Sequence, residues 1–302
     1  MPNADLVLEG GGVKGVALVG ALDVLTEHGY RFNRVAGTSA GSIVGALVAS
    51  GLPMRRIVEA MHTVDYTQFR DRSVKALIGH GLCKGDYLRD WLSDLLDEAD
   101  VTYFTDIPVV DWAASANAAK YRLVVMASDL THGTMVRLPW DYYMYGVDSD
   151  RVPIVDAVRA SMSIPFFYRP VKLKGSWLVD GGLLSNFPVD IFDRDDDRAP
   201  RWPTFGIKLS GREGPGMIVN DVKGWVSLGV AVANTAMTAH DRAHVNRPET
   251  LARTMFVDTS GVSPLAFGMN RSTVARLYEA GREAAEKFLG SWDFTAYKEL
   301  FR

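Results

Sequence analysis

One five-residue segment, with the pattern Gly-x-Ser-x-Gly, constrains this 302-residue chain more than any other feature. Residues 37–41 read Gly-Thr-Ser-Ala-Gly and lie between a short predicted strand over 34–36 and a helix-forming run. This context favours a serine, Ser39, on a sharp strand-to-helix turn that pushes its hydroxyl into a cleft. Gly37 and Gly41 permit the tight turn and the close approach of neighbouring backbone. The segment therefore predicts a nucleophilic serine, with a helix N-cap as the plainer alternative.

Strand and helix patterns alternate along the chain. Residues 6–8 form a short apolar run typical of a buried strand, and residues 15–28 have a helical pattern that ends at Gly29. A second strand over 34–36 and a second helix over 42–50 follow. This order predicts an α/β fold with a parallel sheet and helices on both faces. More strands are predicted over 121–127, 177–179 and 204–209, and helices over 88–96 and 276–289.

Composition limits the classes of function. Apolar residues make up 47% of the chain and charged residues 23%, as in ordinary globular proteins. The net charge of −3 provides no basic field, so nucleic acid is not an expected partner. We expect one domain over 1–302, with its core motifs in 4–210 and the strand and helices of 211–302 packed on it. The single cysteine, Cys83, cannot form an intramolecular disulfide and is expected to be a reduced, buried thiol.

The sequence contains no targeting or membrane-spanning pattern. No cationic segment followed by an apolar one marks the N-terminus. The longest uncharged stretch, 224–239, is shorter than the roughly 18 apolar residues that a spanning helix needs. We therefore expect a cytoplasmic protein that makes at most peripheral contact with a membrane. Oligomeric state and export without a cleavable signal are left open.

A glycine-rich loop follows the first predicted strand. Gly10–Gly15 reads Gly-Gly-Gly-Val-Lys-Gly, which also satisfies the dinucleotide pattern G-x-G-x-x-G. That site needs an acidic residue at the end of the second strand, where this chain has the Ser39 turn instead. A phosphate loop is a poor match, because Lys14 is followed by glycine. The loop does offer backbone N–H groups at a helix start, which favour negative charge such as a tetrahedral oxyanion.

A serine nucleophile needs a base, and the histidines are poor candidates. None of the six lies in a convincing triad context, and His240 and His244 have metal-ligand spacing without a glutamate or a third ligand. The acidic run 193–198 mixes both signs and is interpreted as a solvated loop rather than a metal site. A carboxylate offers the alternative base, because Asp180-Gly181-Gly182 follows the strand 177–179. A plain turn is the competing interpretation of that tripeptide.

The three glycine motifs, in this order, resemble those of the patatin-like phospholipases and acyl hydrolases. The resemblance extends to three secondary matches: Ala160–Pro165, Asn186–Pro188 and Asp129. Glu9 before the glycines is unusual for the pattern. The resemblance implies a three-layer α/β fold with a mostly parallel central sheet flanked by helices, related to but distinct from the α/β-hydrolase fold.

The resemblance also implies a mechanism. Ser39 would be the nucleophile and Asp180 its general base, in a dyad without histidine that forms an acyl-enzyme. Burial in an apolar cleft would raise the basicity of that carboxylate. Backbone N–H groups of Gly11 and Gly12, with Gly10 and Val13 as further candidates, would form the oxyanion hole. Lys14 would orient this loop, and Gly37, Gly41, Gly181 and Gly182 would support the two turns. No cofactor and no metal are implied.

The expected partner is therefore a lipid or other acyl ester, a phospholipid or lysophospholipid in particular. The aromatic segment 139–145, with Tyr142 and Tyr143, suits a transient contact with a membrane surface or an acyl-chain entrance. Two other functions stay open from the residues. One is an α/β-hydrolase-type esterase with a Ser-His-Asp triad, and the other is a nucleotide-binding protein that uses the glycine loop.

Overall fold

The computed structural model describes residues 1–71, 81–109, 120–194, 196, 198–209, 222, 224, 228–229, 231–232, 235 and 245–301. Its strands are β1 (Asn3–Leu8), β2 (Arg31–Thr38), β3 (Gly81–Cys83), β4 (Leu123–Asp129), β5 (Thr134–Leu138), β6 (Phe166–Tyr168), β7 (Val171–Leu173), β8 (Ser176–Asp180), β9 (Thr204–Lys208) and β10 (Thr254–Phe256). Its helices are α1 (Gly15–Glu27), α2 (Ala40–Ala49), α3 (Met54–Thr63), α4 (Asp86–Asp97), α5 (Ile154–Ser161), α6 (Pro248–Ala252), α7 (Arg271–Leu289) and α8 (Phe294–Phe301).

The central sheet has the strand order β10-β9-β1-β2-β4-β8-β7, and β5 pairs with β4. Strands β10, β9, β1, β2 and β4 pair in parallel, whereas β8, β7 and β5 join antiparallel. Strands β3 and β6 form a separate parallel pair. The predicted α/β fold with a mostly parallel central sheet flanked by helices is confirmed.

The parallel strands are apolar on both faces, as buried parallel sheets require. One face, which includes Leu6, Leu8 and Val125, packs with the apolar sides of the helices in the main core. The opposite face, which includes Val7 and Met126, forms a smaller cluster with the segment 187–192. The carboxyl ends of β1 and β2 therefore meet at one edge of a sheet that is covered on both sides.

Helix α7 crosses α1 at unusually short range, which ties the late part of the chain to the first βαβ unit. A Cβ on Gly20 would lie 2.0 Å from the Tyr278 carbonyl oxygen, and one on Gly281 would lie 2.0 Å from that of Ala17. The crossing is flanked by Arg282, which forms ion pairs with Asp23 at 2.7 Å and with Glu27 at 2.9 Å. Glycine is therefore required at both crossing positions.

Two further expectations concern single elements. Cys83, at the end of β3, is buried and forms no disulfide, as predicted. Among the helices of the described residues, none combines the length and apolar character needed to cross a bilayer. The expectation of one domain over 1–302 stays a prediction.

The crossing generates the first testable prediction. Gly281→Ala should destabilise the protein by about 2 kcal/mol or more, because its methyl group would push the two helices apart. Urea unfolding measures the change. Gly290→Ala is the matched control, since a Cβ there makes only ordinary contacts, the nearest at 3.5 Å, and the backbone is right-handed helical. A Gly281→Ala variant as stable as the control would contradict the close crossing.

Candidate active site

Ser39 occupies the turn between β2 and α2 in a strained backbone conformation. Its φ of 52° and ψ of −123° lie outside the regions that non-glycine residues normally adopt. The close packing leaves no room for side chains nearby, since a Cβ on Gly37 would lie 2.2 Å from the Gly41 carbonyl oxygen. The Ser39 carbonyl accepts hydrogen bonds from the N–H of Ser42 at 2.9 Å and from its hydroxyl at 2.6 Å. The predicted serine turn is therefore present.

A short segment after α5 holds this turn from the other side. The Ser39 N–H donates to the Ser161 hydroxyl at 2.8 Å. The Ser39 hydroxyl lies 3.6 Å from Met162 Sδ, a weak acceptor. The carbonyl of Ser163 accepts the N–H of Asp180 at 3.0 Å. The segment 161–163 thus contacts both predicted catalytic residues.

Asp180 ends β8 with a completely buried side chain. One carboxyl oxygen accepts the Gly182 N–H at 2.8 Å, and a Cβ on Gly181 would lie 2.3 Å from the Met126 carbonyl oxygen. Within the described part of the chain, the other oxygen, Oδ2, has no hydrogen-bond partner. Burial raises the pKa of Asp180 to about 6, although the Gly182 N–H and the Ser39 side chain oppose the rise. The fold therefore brings the side chains of Ser39 and Asp180 together, although the two residues lie 141 positions apart in the sequence.

The glycine loop lies beside this pair. A Cβ on Gly10 would lie 3.1 Å from Ser39 Cβ, and Gly12 adopts a left-handed φ of 57° that favours glycine. The N–H of Gly10 donates to the Asn186 carbonyl at 3.2 Å, and that of Val13 donates to the Pro264 carbonyl at 3.0 Å.

These bonds bear on the predicted oxyanion hole. Gly10 and Val13 use their N–H groups to hold the loop, so neither is free to donate to an oxyanion in this arrangement. The N–H groups of Gly11 and Gly12 make no hydrogen bond to the described residues. Two N–H groups, those of Gly11 and Gly12, are therefore open to a ligand among the described contacts, instead of the four predicted.

Charged side chains pack next to the glycine loop and form ion pairs there. The buried carboxylate of Glu9 accepts hydrogen bonds from the Lys208 ammonium and from the Leu209 N–H. Burial lowers the pKa of Lys14, although Glu9 and Asp258 oppose the change. Lys14 is therefore a partly buried member of this charge cluster rather than a solvated surface lysine.

An apolar cavity adjoins the serine turn. It is lined by Gly12 of the loop, Ala40 after the serine, Met162 and Phe267, and it extends to α4. The predicted nucleophile Ser39 thus lies next to an apolar cavity suited to hydrocarbon.

Comparison with known proteins agrees with this geometry. The sequence model of the family described as patatin-like phospholipase matches residues 6–193. The uncharacterised protein YqhO of Bacillus subtilis is 37% identical over 96% of this chain and 99% of its own length. The chain belongs to the patatin-like phospholipase family.

More distant relatives of the patatin-like chain are longer. The uncharacterised NTE family protein Rv1063c of Mycobacterium tuberculosis is 28% identical, over 62% of this chain and 45% of its own length. VipD from Legionella pneumophila has a TM-score of 0.61 at 16% identity, with 95% of this chain and 67% of that chain covered. ExoU, in its complex with SpcU from Pseudomonas aeruginosa, has a TM-score of 0.51 at 18% identity, with coverage of 99% and 52%. The chain spans about half the length of Rv1063c and of ExoU, and the structural likeness supports the fold alone.

The histidines of the patatin-like chain that the structure describes do not contact Ser39. His28 and His62 each place Nδ1 2.9 Å from a helix carbonyl oxygen. His132 Nδ1 lies 2.7 Å from Asp129 Oδ2, and Tyr145 donates to the same oxygen at 2.8 Å. His80, His240 and His244 lie outside the described residues.

The aromatic segment 139–145 corrects one expectation. Tyr142, a candidate from the sequence for a membrane surface or an acyl-chain entrance, is only 2% exposed and belongs to the core. Tyr143 and Met144 are 74% and 59% exposed. A 3₁₀ turn over Trp140–Tyr145 turns successive side chains in different directions, so neighbouring tyrosines differ in burial. Of the two tyrosines Tyr142 and Tyr143, Tyr143 is the one that lies on the surface.

The buried carboxyl predicts a pH-dependent stability. Because the folded state raises the pKa of Asp180 from 3.8 to about 6, the folded state binds this proton more tightly. Its stabilising contribution is complete below about pH 4 and is lost as pH rises through about 6. Asp180→Asn does not titrate and should exceed the wild type in unfolding free energy at about pH 8, by up to about 3 kcal/mol, with a smaller gap at about pH 4.

Urea unfolding at several pH values measures this gap. Asp97→Asn, which removes an exposed carboxylate on α4, controls for the change in net charge. A gap for Asp180→Asn that does not vary with pH would contradict the cost of burying this carboxylate.

Proposed function

We propose that the chain hydrolyses carboxylic ester bonds of phospholipids or lysophospholipids, with Ser39 as nucleophile and Asp180 as general base. Membership of the patatin-like phospholipase family supports a lipid hydrolase. The observation that carries the finer proposal is the buried Asp180 carboxyl, whose pKa is raised to about 6 beside a serine on a strained turn. A carboxylate with that pKa is half ionised near pH 6 and is a stronger base than an exposed aspartate.

The proposed reaction begins with proton transfer. The Asp180 carboxylate takes the hydroxyl proton of Ser39 while Oγ bonds to the ester carbonyl carbon. The N–H groups of Gly11 and Gly12 donate to the oxyanion that forms, and loss of one such donor typically costs about 3–4 kcal/mol of transition-state stabilisation. The intermediate collapses, the C–O bond to the alcohol breaks, and Asp180 returns the proton to the leaving oxygen.

The second half releases the acyl group. Water attacks the acyl-Ser39 ester while Asp180 accepts one of its protons, and Ser39 leaves as the hydroxyl after taking that proton back. Met162 Sδ holds the Ser39 hydroxyl only weakly in the free enzyme, at 3.6 Å, so little opposes its movement toward Asp180. The carboxylic acid and the alcohol are the products, and no cofactor takes part in this scheme.

Substitution of the two residues tests the dyad. Ser39→Ala and Asp180→Asn should each lower kcat on an acyl ester by about a thousandfold or more, because each removes a group that reacts in the transition state. Ser39→Ala should also abolish labelling by a fluorophosphonate. The matched controls are Ser50→Ala, at the residue that follows α2, and Asp97→Asn, at the last residue of α4. Wild-type turnover in either dyad variant would overturn the assignment.

The same experiment has a pH readout. The base must be ionised, so kcat/KM should rise about tenfold per pH unit below about 6 and level off above it. A profile that stays flat from about pH 5 to about pH 7 would contradict Asp180 as the base.

A further prediction concerns contact with lipid surfaces. Tyr143→Ala should lower activity on phosphatidylcholine vesicles by about three- to tenfold and leave activity on a soluble short-chain ester unchanged, because Tyr143 would bury its ring at the interface. Leu300→Ala is the control, since Leu300 is equally exposed at 74% on α8. Equal losses on both substrates would defeat the interfacial role.

A further inference from the structure

The apolar cavity beside Ser39 has two ends. All its lining residues are buried except two, Gly12 and Trp91, which are partly exposed. Gly12 belongs to the glycine loop next to the serine, whereas Trp91 lies on α4. The cavity therefore runs from the reaction centre to the surface helix, and Trp91 stands between its far end and solvent.

The far end is a cluster of aromatic rings around Phe69. The ring of Phe69 lies 5.7 Å from Tyr66, 5.7 Å from Tyr87 and 5.5 Å from Trp91, measured between centroids. Edge-to-face and tilted contacts of this kind add stability beyond the area they bury. The end wall is therefore a packed structure rather than a loose loop.

Hydrogen bonds fix the elements that carry these rings. Tyr66 donates its hydroxyl to the Met61 carbonyl at 2.9 Å, and Tyr168 donates to the Phe69 carbonyl at 2.8 Å. The Asp71 carboxylate accepts the N–H of Gly85 at 2.7 Å and of Asp86 at 2.6 Å, which anchors the start of α4. The wall is thus preformed, and a ligand meets a fixed limit.

The near end is adaptable by contrast. Met162 lines the cavity and also lies against the Ser39 hydroxyl, with Sδ 3.6 Å from Oγ. Methionine is flexible and repacks readily, so it can move aside when a chain enters. Ala40, which follows Ser39 directly, continues the apolar wall. A hydrocarbon attached to a carbonyl at Ser39 would therefore enter this cavity.

We propose that the cavity binds a single unbranched acyl chain and that Trp91 sets the longest chain it accepts. The lining is apolar and its residues are buried except Gly12 and Trp91, so a single chain attached at Ser39 would lie along the cavity between these two ends. The rest of the lipid, including any second chain, stays outside. This inference deepens the proposed function and rests on it, because the chain is placed by its carbonyl at Ser39.

Binding to the inactive Ser39→Ala protein tests the cavity without turnover. Saturated fatty acids of about four to about sixteen carbons are titrated by calorimetry, and affinity should rise about fourfold per methylene until the chain reaches the wall. In Ser39→Ala combined with Trp91→Ala, the rise should continue to longer chains. Trp177→Ala, a tryptophan 38% exposed on β8 outside the cavity, should leave the limit unchanged.

A second variant keeps the test decisive if Trp91→Ala does not fold. Met61→Phe puts a rigid ring into the cavity wall and should shorten the limit in the same titration. Affinity that is independent of chain length, or the same limit in both variants as in the parent, would overturn the proposal.

Turnover of an ester series by the protein with Ser39 intact separates the two proposals. Hydrolysis lost in Ser39→Ala, together with a chain-length limit that Trp91→Ala does not move, would refute the role of Trp91 and leave the hydrolase proposal standing. Fatty-acid binding with the expected limits, but no hydrolysis of any ester, would refute the hydrolase and leave the chain-binding site standing.

Discussion

Burial of the Asp180 carboxyl is costly, because the side chain is fully buried and its Oδ2 has no hydrogen-bond partner among the described residues. Removing a carboxylate from water is unfavourable unless hydrogen bonds compensate, and among the described residues the Gly182 N–H and the Ser39 side chain compensate only in part, so the pKa of Asp180 stays raised. Additional hydrogen bonds to the Asp180 carboxylate would stabilise its ionised form, lower its pKa and make it a weaker base. The strained turn at Ser39 adds a second local cost beside the first. Such costs persist where the surrounding packing determines the geometry, and here a sheet covered on both faces supplies that packing.

The segment 161–163 fixes the strained Ser39 turn and the buried Asp180 relative to each other. It accepts the N–H of Ser39 through a side chain and the N–H of Asp180 through a carbonyl, so displacement of either residue breaks a bond to the same short segment. Arg159 anchors it in turn, because its guanidinium donates to the Ser163 hydroxyl at 2.7 Å and to the Arg169 carbonyl at 3.1 Å. The relative positions of Ser39 and Asp180 therefore depend on the segment 161–163 as well as on the contact between their side chains.

Sequence reasoning succeeded where the constraint is local. The turn at Ser39 is encoded by glycines within two residues of it, and the strand and helix order follows from apolar runs, so both could be predicted. The contacts of Ser161 with Ser39 join residues 122 positions apart, and no local pattern encodes them. The number of free N–H groups in the glycine loop was also beyond prediction, since it depends on carbonyls of Asn186 and Pro264. The sequence predicts a solvated loop over 193–198, yet Asp193 forms an ion pair with the buried Arg253.

The residues that build the candidate site extend beyond the part of the chain that the family model matches. That match ends at residue 193, after the serine turn, the glycine loop and the Asp180 turn. Residues beyond it complete the surroundings: Lys208 pairs with Glu9 below the loop, Pro264 accepts the Val13 N–H, and Phe267 lines the apolar cavity. The proposed reacting groups therefore lie in the part matched by the family, whereas the residues that hold the glycine loop and one wall of the cavity come from the later part. A substitution in the later part, at Phe267 for example, would therefore alter the cavity without changing the proposed reacting groups.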